Sequence, residues 1–262
     1  MRSIVASPAR AASVAALSFA GVLGPATPAA ADFQVRSPIV DYREIELEMN
    51  GAVTHDGSVP ARDGEESYTW SIGAGVTPYW LVELEGETAA EPGDPLHFDA
   101  TTIENTFELT EHGEYWIDPG FFVEYSRPAR QGDPQTVTFG PLAQMETIEL
   151  FDVPMLHTAN VLFEKELGDF STGRTGFSFA WQTRLELNPH FEPGIEYYAD
   201  IDDLGHAGSF AGQEHRLGPM FAGLYNFGPS GKIKYELGYL FGLSRSTEQG
   251  ALRFRLEYEI PY

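Results

Sequence analysis

The sequence predicts an all-β protein, a transmembrane antiparallel up-and-down β-barrel of about 12 strands that follows an N-terminal signal peptide. Three observations favour this fold class. Polar and apolar side chains alternate along almost every segment after residue 31, the connections are alternately long and short, and the chain ends inside an alternating segment on an aromatic residue, Tyr262. Period-two alternation is typical of strands with one apolar face.

The first 31 residues have the layout of a secretory signal peptide. Arg2 and Arg10 make a basic start, an apolar Ala-rich run covers residues 11–23, and "PAAAD" offers a small-residue cleavage site before Asp32. This apolar run is too short to span a bilayer comfortably as a helix. We therefore predict a signal peptide at 1–31, followed by a single outer-membrane β-barrel domain at 32–262.

Composition limits the possible partners. The chain has no Cys and a formal net charge of −23. An exported fold of this chain is therefore expected to hold together without disulfides. Nucleic acid is not expected as a partner, because binding phosphates requires positive charge.

Twelve segments alternate with period two. They are predicted at residues 42–54, 67–77, 80–87, about 102–110, about 115–126, about 136–146, about 156–166, 175–188, 191–201, 215–225, 232–242 and 251–262. The stretch "METIELFDVPM" could contain a β-bulge, so the faces of the sixth and seventh strands stay open.

The connections alternate in length. Long polar segments such as "HDGSVPARDGEE" and "DDLGHAGSFAGQ" are interleaved with short ones such as "TPY", "EHGE" and "NPH". Outer-membrane barrels have short periplasmic turns and longer external loops. The phase of this pattern and the even strand count place both ends of the barrel domain in the periplasm.

Alternation alone fits a soluble β-sandwich as well as a membrane barrel, because both have one apolar face. A barrel of about eight strands is just filled by side chains, so twelve strands around an apolar interior would leave a void. We therefore expect apolar faces toward lipid and charged faces toward the lumen. Aromatic residues near strand ends, such as Tyr68, Trp80 and Tyr258, fit interfacial girdles. A soluble periplasmic sandwich remains an alternative.

The polar faces predict the lining of the lumen. Its acidic residues are Glu44, Glu46, Glu48, Glu83, Glu85, Glu104, Glu108, Asp118 and Glu196, and its basic residues are Arg184, Arg216, Lys234, Arg253 and Arg255. The inward faces of strands one to seven carry no Lys or Arg, which predicts an acidic wall there. Because the last strand closes on the first, we expect Arg253 and Arg255 to approach the acidic wall.

The excess of carboxylates predicts a water-filled channel that favours cations and passes small solutes. A closed interior, plugged by salt bridges between the same residues, is the structural alternative.

The terminal segment "ALRFRLEYEIPY" resembles the C-terminal strand of outer-membrane β-barrel proteins. Its alternating apolar positions are Phe254, Leu256, Tyr258, Ile260 and Tyr262. The resemblance implies recognition by the barrel-assembly machinery and a location in the outer membrane, with its lipids and small solutes as partners.

A second resemblance covers most of the chain. The segments "TFGPLAQ", "NVLFEKELG", "FEPGIEYYADI", "GPMFAG" and "KIKYELGYLFGLSRSTEQG" resemble the proteobacterial transporter-like barrels named MetA-pathway of phenol degradation. The resemblance implies a Gram-negative transporter-like barrel and assigns no functional residue.

No constellation of residues predicts catalysis, and we expect a protein that is not an enzyme. Some outer-membrane barrels are lipid hydrolases that use Ser and His on the outer wall near the external rim. Here His55, His97, His157, His206 and His215 show no spacing that selects a nucleophile and its base. No metal-ligand spacing stands out either, so we predict no catalytic residue, no metal and no cofactor. A lipid-modifying enzyme remains an alternative.

Overall fold

The computed structural model describes residues 33–150 and 152–262. The predicted signal peptide at 1–31 and the predicted first mature residue, Asp32, lie outside the described residues.

Twelve antiparallel strands close into one barrel, in which every strand pairs with its neighbours in sequence and the last strand pairs with the first. The strands are β1 (Glu44–His55), β2 (Glu66–Thr77), β3 (Trp80–Ala90), β4 (His97–Glu108), β5 (Asp118–Pro128), β6 (Gln135–Leu150), β7 (Val153–Leu167), β8 (Thr175–Leu185), β9 (Glu192–Ile201), β10 (Glu214–Asn226), β11 (Lys232–Gly242) and β12 (Gly250–Pro261). The predicted fold class and strand number are confirmed. No helix in the described part of the chain is long and apolar enough to cross a membrane.

The closing seam between β12 and β1 is continuous. Pairing runs without a shift from Glu44 opposite Pro261 to His55 opposite Gly250. The Tyr262 amide then donates to the Arg43 carbonyl at 3.0 Å. A closed ladder leaves no free strand edge, so the barrel satisfies its backbone hydrogen bonds internally, as a lipid environment requires.

Burial along the strands places the charged faces inside. The side chains of Trp70, Ile72 and Leu84 are 52%, 53% and 51% exposed on the outer wall, whereas Glu104 and Glu196 are 2% and 0% exposed in the interior. A soluble protein buries the apolar set and exposes the charged set. The inverted pattern excludes the soluble sandwich and fits a barrel whose outer wall contacts lipid.

Several boundaries differ from those predicted. β4 ends at Glu108 and β5 begins at Asp118, so their connection is longer than the expected turn "EHGE". The Asp118 carboxylate accepts hydrogen bonds from the Gly113 amide at 2.7 Å and from His112 at 3.0 Å, which holds this connection folded. β8 ends at Leu185, earlier than predicted.

The predicted irregularity between the sixth and seventh strands is present. The register of β6 against β7 shifts between Ile148 and Leu150. Further shifts lie between Gly75 and Thr77 and between Glu87 and Thr88.

Residues 33–41, which we call the lumen segment, run inside the barrel. They start at the end where β1 finishes, which we call the loop end, and reach the opposite end, where β1 begins, which we call the turn end. Phe33 and Val35 pack in an apolar cluster with Tyr198 and other barrel residues. The Tyr198 hydroxyl donates to the Phe33 carbonyl at 3.1 Å. The interior is therefore partly filled by the chain itself, a feature that the strand pattern did not predict.

A Lys on the outer wall should be tolerated poorly in lipid. We expect Ile72→Lys to lower the free energy of unfolding in phospholipid vesicles by about 2–4 kcal/mol, because it places a cation against hydrocarbon. Val59→Lys, in the loop-end connection 56–65, is the control and should change little. Equal unfolding free energies for the two variants in a denaturant titration would contradict a lipid-facing outer wall.

Candidate functional site in the lumen

Five carboxylates lie side by side across neighbouring strands on the inner wall. The pairing registers place Glu46 opposite both Glu259 and Gly73, and Gly73 opposite Glu83. The series continues, since Glu83 lies opposite Glu104 and Glu104 opposite Glu124. We call Glu259, Glu46, Glu83, Glu104 and Glu124 the acidic row. Like charges on adjacent strands repel, so the fold requires cations beside them.

Lysines meet one end of the acidic row. Lys232 and Lys234 both form ion pairs with Glu259, which is fully buried. The same two lysines contact the Asp41 carboxylate of the lumen segment at 3.1 and 3.2 Å. Burial raises the pKa of Asp41, but Lys234 and Lys232 lower it further than burial raises it, so its pKa lies below the ordinary value. Asp41 is thus held as a carboxylate between the barrel wall and the lumen segment.

Arg36 of the lumen segment meets the other end. Its guanidinium approaches Glu104 at 2.5 Å and Glu124 at 3.8 Å, and lies 4.4 Å above the Phe122 ring. Asn160 fixes the backbone of Arg36 through two hydrogen bonds of 2.7 and 2.8 Å. The inward faces of strands one to seven were predicted to carry no base, and only Arg253 and Arg255 of the closing strand were expected to approach this acidic wall. The lumen segment adds a further base, Arg36, which the strand pattern did not predict.

The two closing-strand arginines have different partners. Arg255 contacts Glu48 at 2.5 Å, as expected for a base near the acidic wall. Arg253 does not reach that wall and instead pairs with Glu236 at 2.6 Å and, through Nε at 2.9 Å, with Glu196.

Side-chain volume explains why Arg253 pairs with Glu196 and not with a carboxylate on β1. Its neighbour on β1 is Ala52, which offers no carboxylate, and its neighbour on β11 is Gly238. A Cβ at Gly238 would lie 2.3 Å from the Glu196 carboxylate and 3.2 Å from Arg253. The missing side chain at Gly238 is therefore what lets Arg253 reach Glu196.

The other sequence-predicted residues also have contacts in the interior. Among the acids, Glu44 pairs with Lys232 at 3.1 Å and Glu108 accepts a hydrogen bond from the Val40 amide at 2.9 Å. Glu85 is buried, and Asp118 holds the turn described above. Among the bases, the ion pairs are Arg184 with Glu192 at 3.0 Å, Arg216 with Glu248 at 2.5 Å, and Lys234 with Glu257 at 3.3 Å. Arg216 also lies 4.9 Å above the Phe33 ring, which anchors the start of the lumen segment.

The proposed assembly residues alternate along β12. Leu256 and Tyr262 are 47% and 63% exposed on the outer wall, and the Phe254 ring lies 6.4 Å from that of Tyr68.

A cavity of about 320 Å³ surrounds the lumen segment in the half of the barrel near the turn end. Its charged lining consists of seven carboxylates and four cationic side chains: Asp41, Glu46, Glu83, Glu104, Glu192, Glu236, Glu257, Arg36, Arg184, Lys234 and Arg255. The lining therefore has an excess of negative charge. The five His residues considered in the sequence analysis are not among its lining residues.

Four of those His residues have polar contacts elsewhere. His55 and His206 contact Asp63 and Asp203 in the loops at 2.9 and 2.7 Å. Along the strands, His157 lies 3.0 Å from the Thr147 hydroxyl, and His215 lies 2.8 Å from that of Tyr197.

Neither a family model nor a curated protein matches the sequence. Among solved structures, an outer-membrane channel from Pseudomonas putida is similar, with 12% identity, a TM-score of 0.53, and coverage of 88% of this chain and 99% of that one. The chain has an outer-membrane β-barrel fold.

Two further solved barrels are similar at lower scores. A KdgM porin in complex with disordered oligogalacturonate has 8% identity, a TM-score of 0.45, and coverage of 84% and 99%. The translocator domain of autotransporter NalP from Neisseria meningitidis has 12% identity, a TM-score of 0.46, and coverage of 84% and 88%. The narrower resemblance to MetA-pathway barrels stays a prediction.

Arg253, which is buried, should matter greatly for stability. We expect Arg253→Ala to lower the free energy of unfolding by about 3–5 kcal/mol, because it leaves Glu196 and Glu236 enclosed without their cation. Denaturant unfolding in detergent micelles measures the change. Arg245→Ala, at an exposed loop position, is the control and should be close to neutral. A small loss at Arg253 would show that water or other groups replace the ion pairs.

Proposed function

We propose that the chain is an outer-membrane channel for passive passage of small solutes, and that it favours cations. The observation that carries the proposal is the negative excess of charge around the lumen cavity. Carboxylates enclosed by low-dielectric walls concentrate cations and repel anions. The basic side chains around the cavity do not cancel this field, because four cations face seven carboxylates.

We further propose that the barrel resides in the outer membrane, after export by the signal at 1–31 and delivery of residues 32–262. The apolar outer wall supports a lipid environment. The exposed alternate residues of β12 support recognition of the terminal strand by the barrel-assembly machinery. The interior groups form ion pairs rather than a nucleophile and its base, which supports transport rather than catalysis.

A closed structural barrel is the second candidate, and the lumen segment favours it. Phe33 fills part of the loop-end half of the interior, and the contacts of Arg36 and Asp41 fix the segment against opposite parts of the wall. For ions to pass, either a path must run beside the lumen segment or the segment must move out of the way. Since non-covalent contacts hold the segment in place, displacement is physically accessible.

Ion selectivity tests the proposed channel. In planar bilayers with a KCl gradient, we expect a reversal potential shifted toward that of K⁺. Arg255→Glu should shift it further, because it removes a lumen cation and adds a carboxylate. Arg245→Glu, the same charge change in an exposed loop, should have a smaller effect. Preference for Cl⁻ would refute the cation proposal, and refolded protein without conductance would favour the closed barrel.

Removing the lumen segment tests whether it limits conduction. We expect deletion of residues 33–40 to raise the single-channel conductance severalfold, because it widens the ion path. Arg36→Ala removes one anchor and should give longer or more frequent open events. Heat-modifiable gel migration checks that both variants still form barrels. A deletion variant that folds but conducts no better than the full chain would show that the segment does not restrict flow.

A further inference from the structure

Among the described residues, no cation forms an ion pair with the two carboxylates in the middle of the acidic row. The lysines pair with Glu259 at one end of the row, and Arg36 pairs with Glu104 and approaches Glu124 at the other. Glu46 and Glu83 lie between these ends. Ion pairs therefore neutralise the negative charge at the two ends of the row and not at its centre.

Glu46 is enclosed without a partner. It is only 7% exposed, borders the cavity, and has no hydrogen bond or ion pair within the described part of the chain. Lys234 and Arg255 influence it through space, but their ion pairs are made with other carboxylates. An enclosed carboxylate without a partner is destabilising unless a cation reaches it.

Glu83 also has few polar contacts. Within the part of the chain that the structure describes, its carboxylate accepts one long hydrogen bond, from the Ser71 hydroxyl at 3.4 Å. Between Glu83 and Glu46 the wall carries only Gly73, and a Cβ there would lie 2.6 Å from Glu83 Cγ. The Glu83 side chain therefore lies over Gly73, in the space between β3 and β1. The missing side chain at Gly73 thus leaves room for Glu83, and both Glu83 and Glu46 border the cavity.

We propose that Glu46 and Glu83 bind the ammonium or guanidinium head of a small organic cation that enters the cavity. The inference rests on the proposed channel function and names a solute class for it. Two carboxylates can accept the several N–H donors of such a head in short, charge-assisted hydrogen bonds. Leu81, Ile39 and Leu156 also line the cavity and offer apolar contact to the carbon skeleton of the ligand.

The spacing favours an organic cation over a bare metal ion. Among the described residues, the carboxylates that come close enough to share a metal are Asp41, Glu46 and Glu259, whose ligand oxygens lie within 4.8 Å of one another. Lys232 and Lys234 already pair with Asp41 and Glu259 and would compete with a metal there. Glu83 does not belong to that group.

Calorimetric titration of the refolded barrel in detergent tests the site, with benzylammonium as the probe and benzyl alcohol as its neutral counterpart. We expect benzylammonium to bind at low ionic strength and benzyl alcohol to bind far more weakly. Glu46→Gln and Glu83→Gln should each weaken binding of benzylammonium about tenfold or more, because each removes a charged acceptor. Gly73→Ala should also weaken it, because the added methyl group would displace the Glu83 side chain.

Glu164→Gln is the matched control, since Glu164 lies on β7 and does not line the cavity. It should bind benzylammonium like the unmodified chain. Equal binding of the alcohol, or undiminished binding by folded Glu46→Gln and Glu83→Gln, would overturn the site. Bilayer recordings separate this result from the proposed function. Cation-selective conductance without binding refutes the site alone, whereas binding without conductance supports the site and refutes the channel.

Discussion

The neutralisation of carboxylates enclosed by the barrel is the constraint on which the rest of the structure depends. With the apolar faces outside, every inward acid faces a narrow interior shared with eleven other strands. Repulsion within the acidic row would oppose closure of the barrel unless cations were placed beside it. The two lysines on β11 meet this need at Glu259, near the seam. At the other end of the row, Arg36 of the lumen segment does so. On β12, Arg253 and Arg255 pair with inward carboxylates outside the row.

The lumen segment thus completes the packing and the charge balance of the barrel interior. Its cation and its apolar side chains fill positions that the strands leave open. The wall provides matching spaces at glycine positions, since a Cβ at Gly120 would lie 2.6 Å from the Pro38 side chain. This reciprocal fit explains how one short stretch without regular secondary structure can be buried inside a polar lumen.

Much of the fold could be predicted from the sequence, because the two-residue period of a strand is local information. The alternation along β2 identified both its outward Trp70 and Ile72 and its inward face. The interior could be predicted less well. Arg36 and its partner Glu104 are 68 residues apart, and no periodicity marks a segment that forms no strand. Arg253 can pair with Glu196 because Gly238, its neighbour on β11, has no side chain. That neighbourhood is known only from the register of β11 against β12.

The position of the lumen segment also bears on how the molecule is assembled. Phe33 contacts Tyr198, 165 residues away in the chain, and strands from both halves of the sequence surround it. Contacts over such separations form late, because long loops must close first. The segment must therefore be enclosed as the strands gather around it or enter after the seam has formed. In either order, the last β-strand pairing and the packing of the interior are kinetically linked steps of one folding reaction.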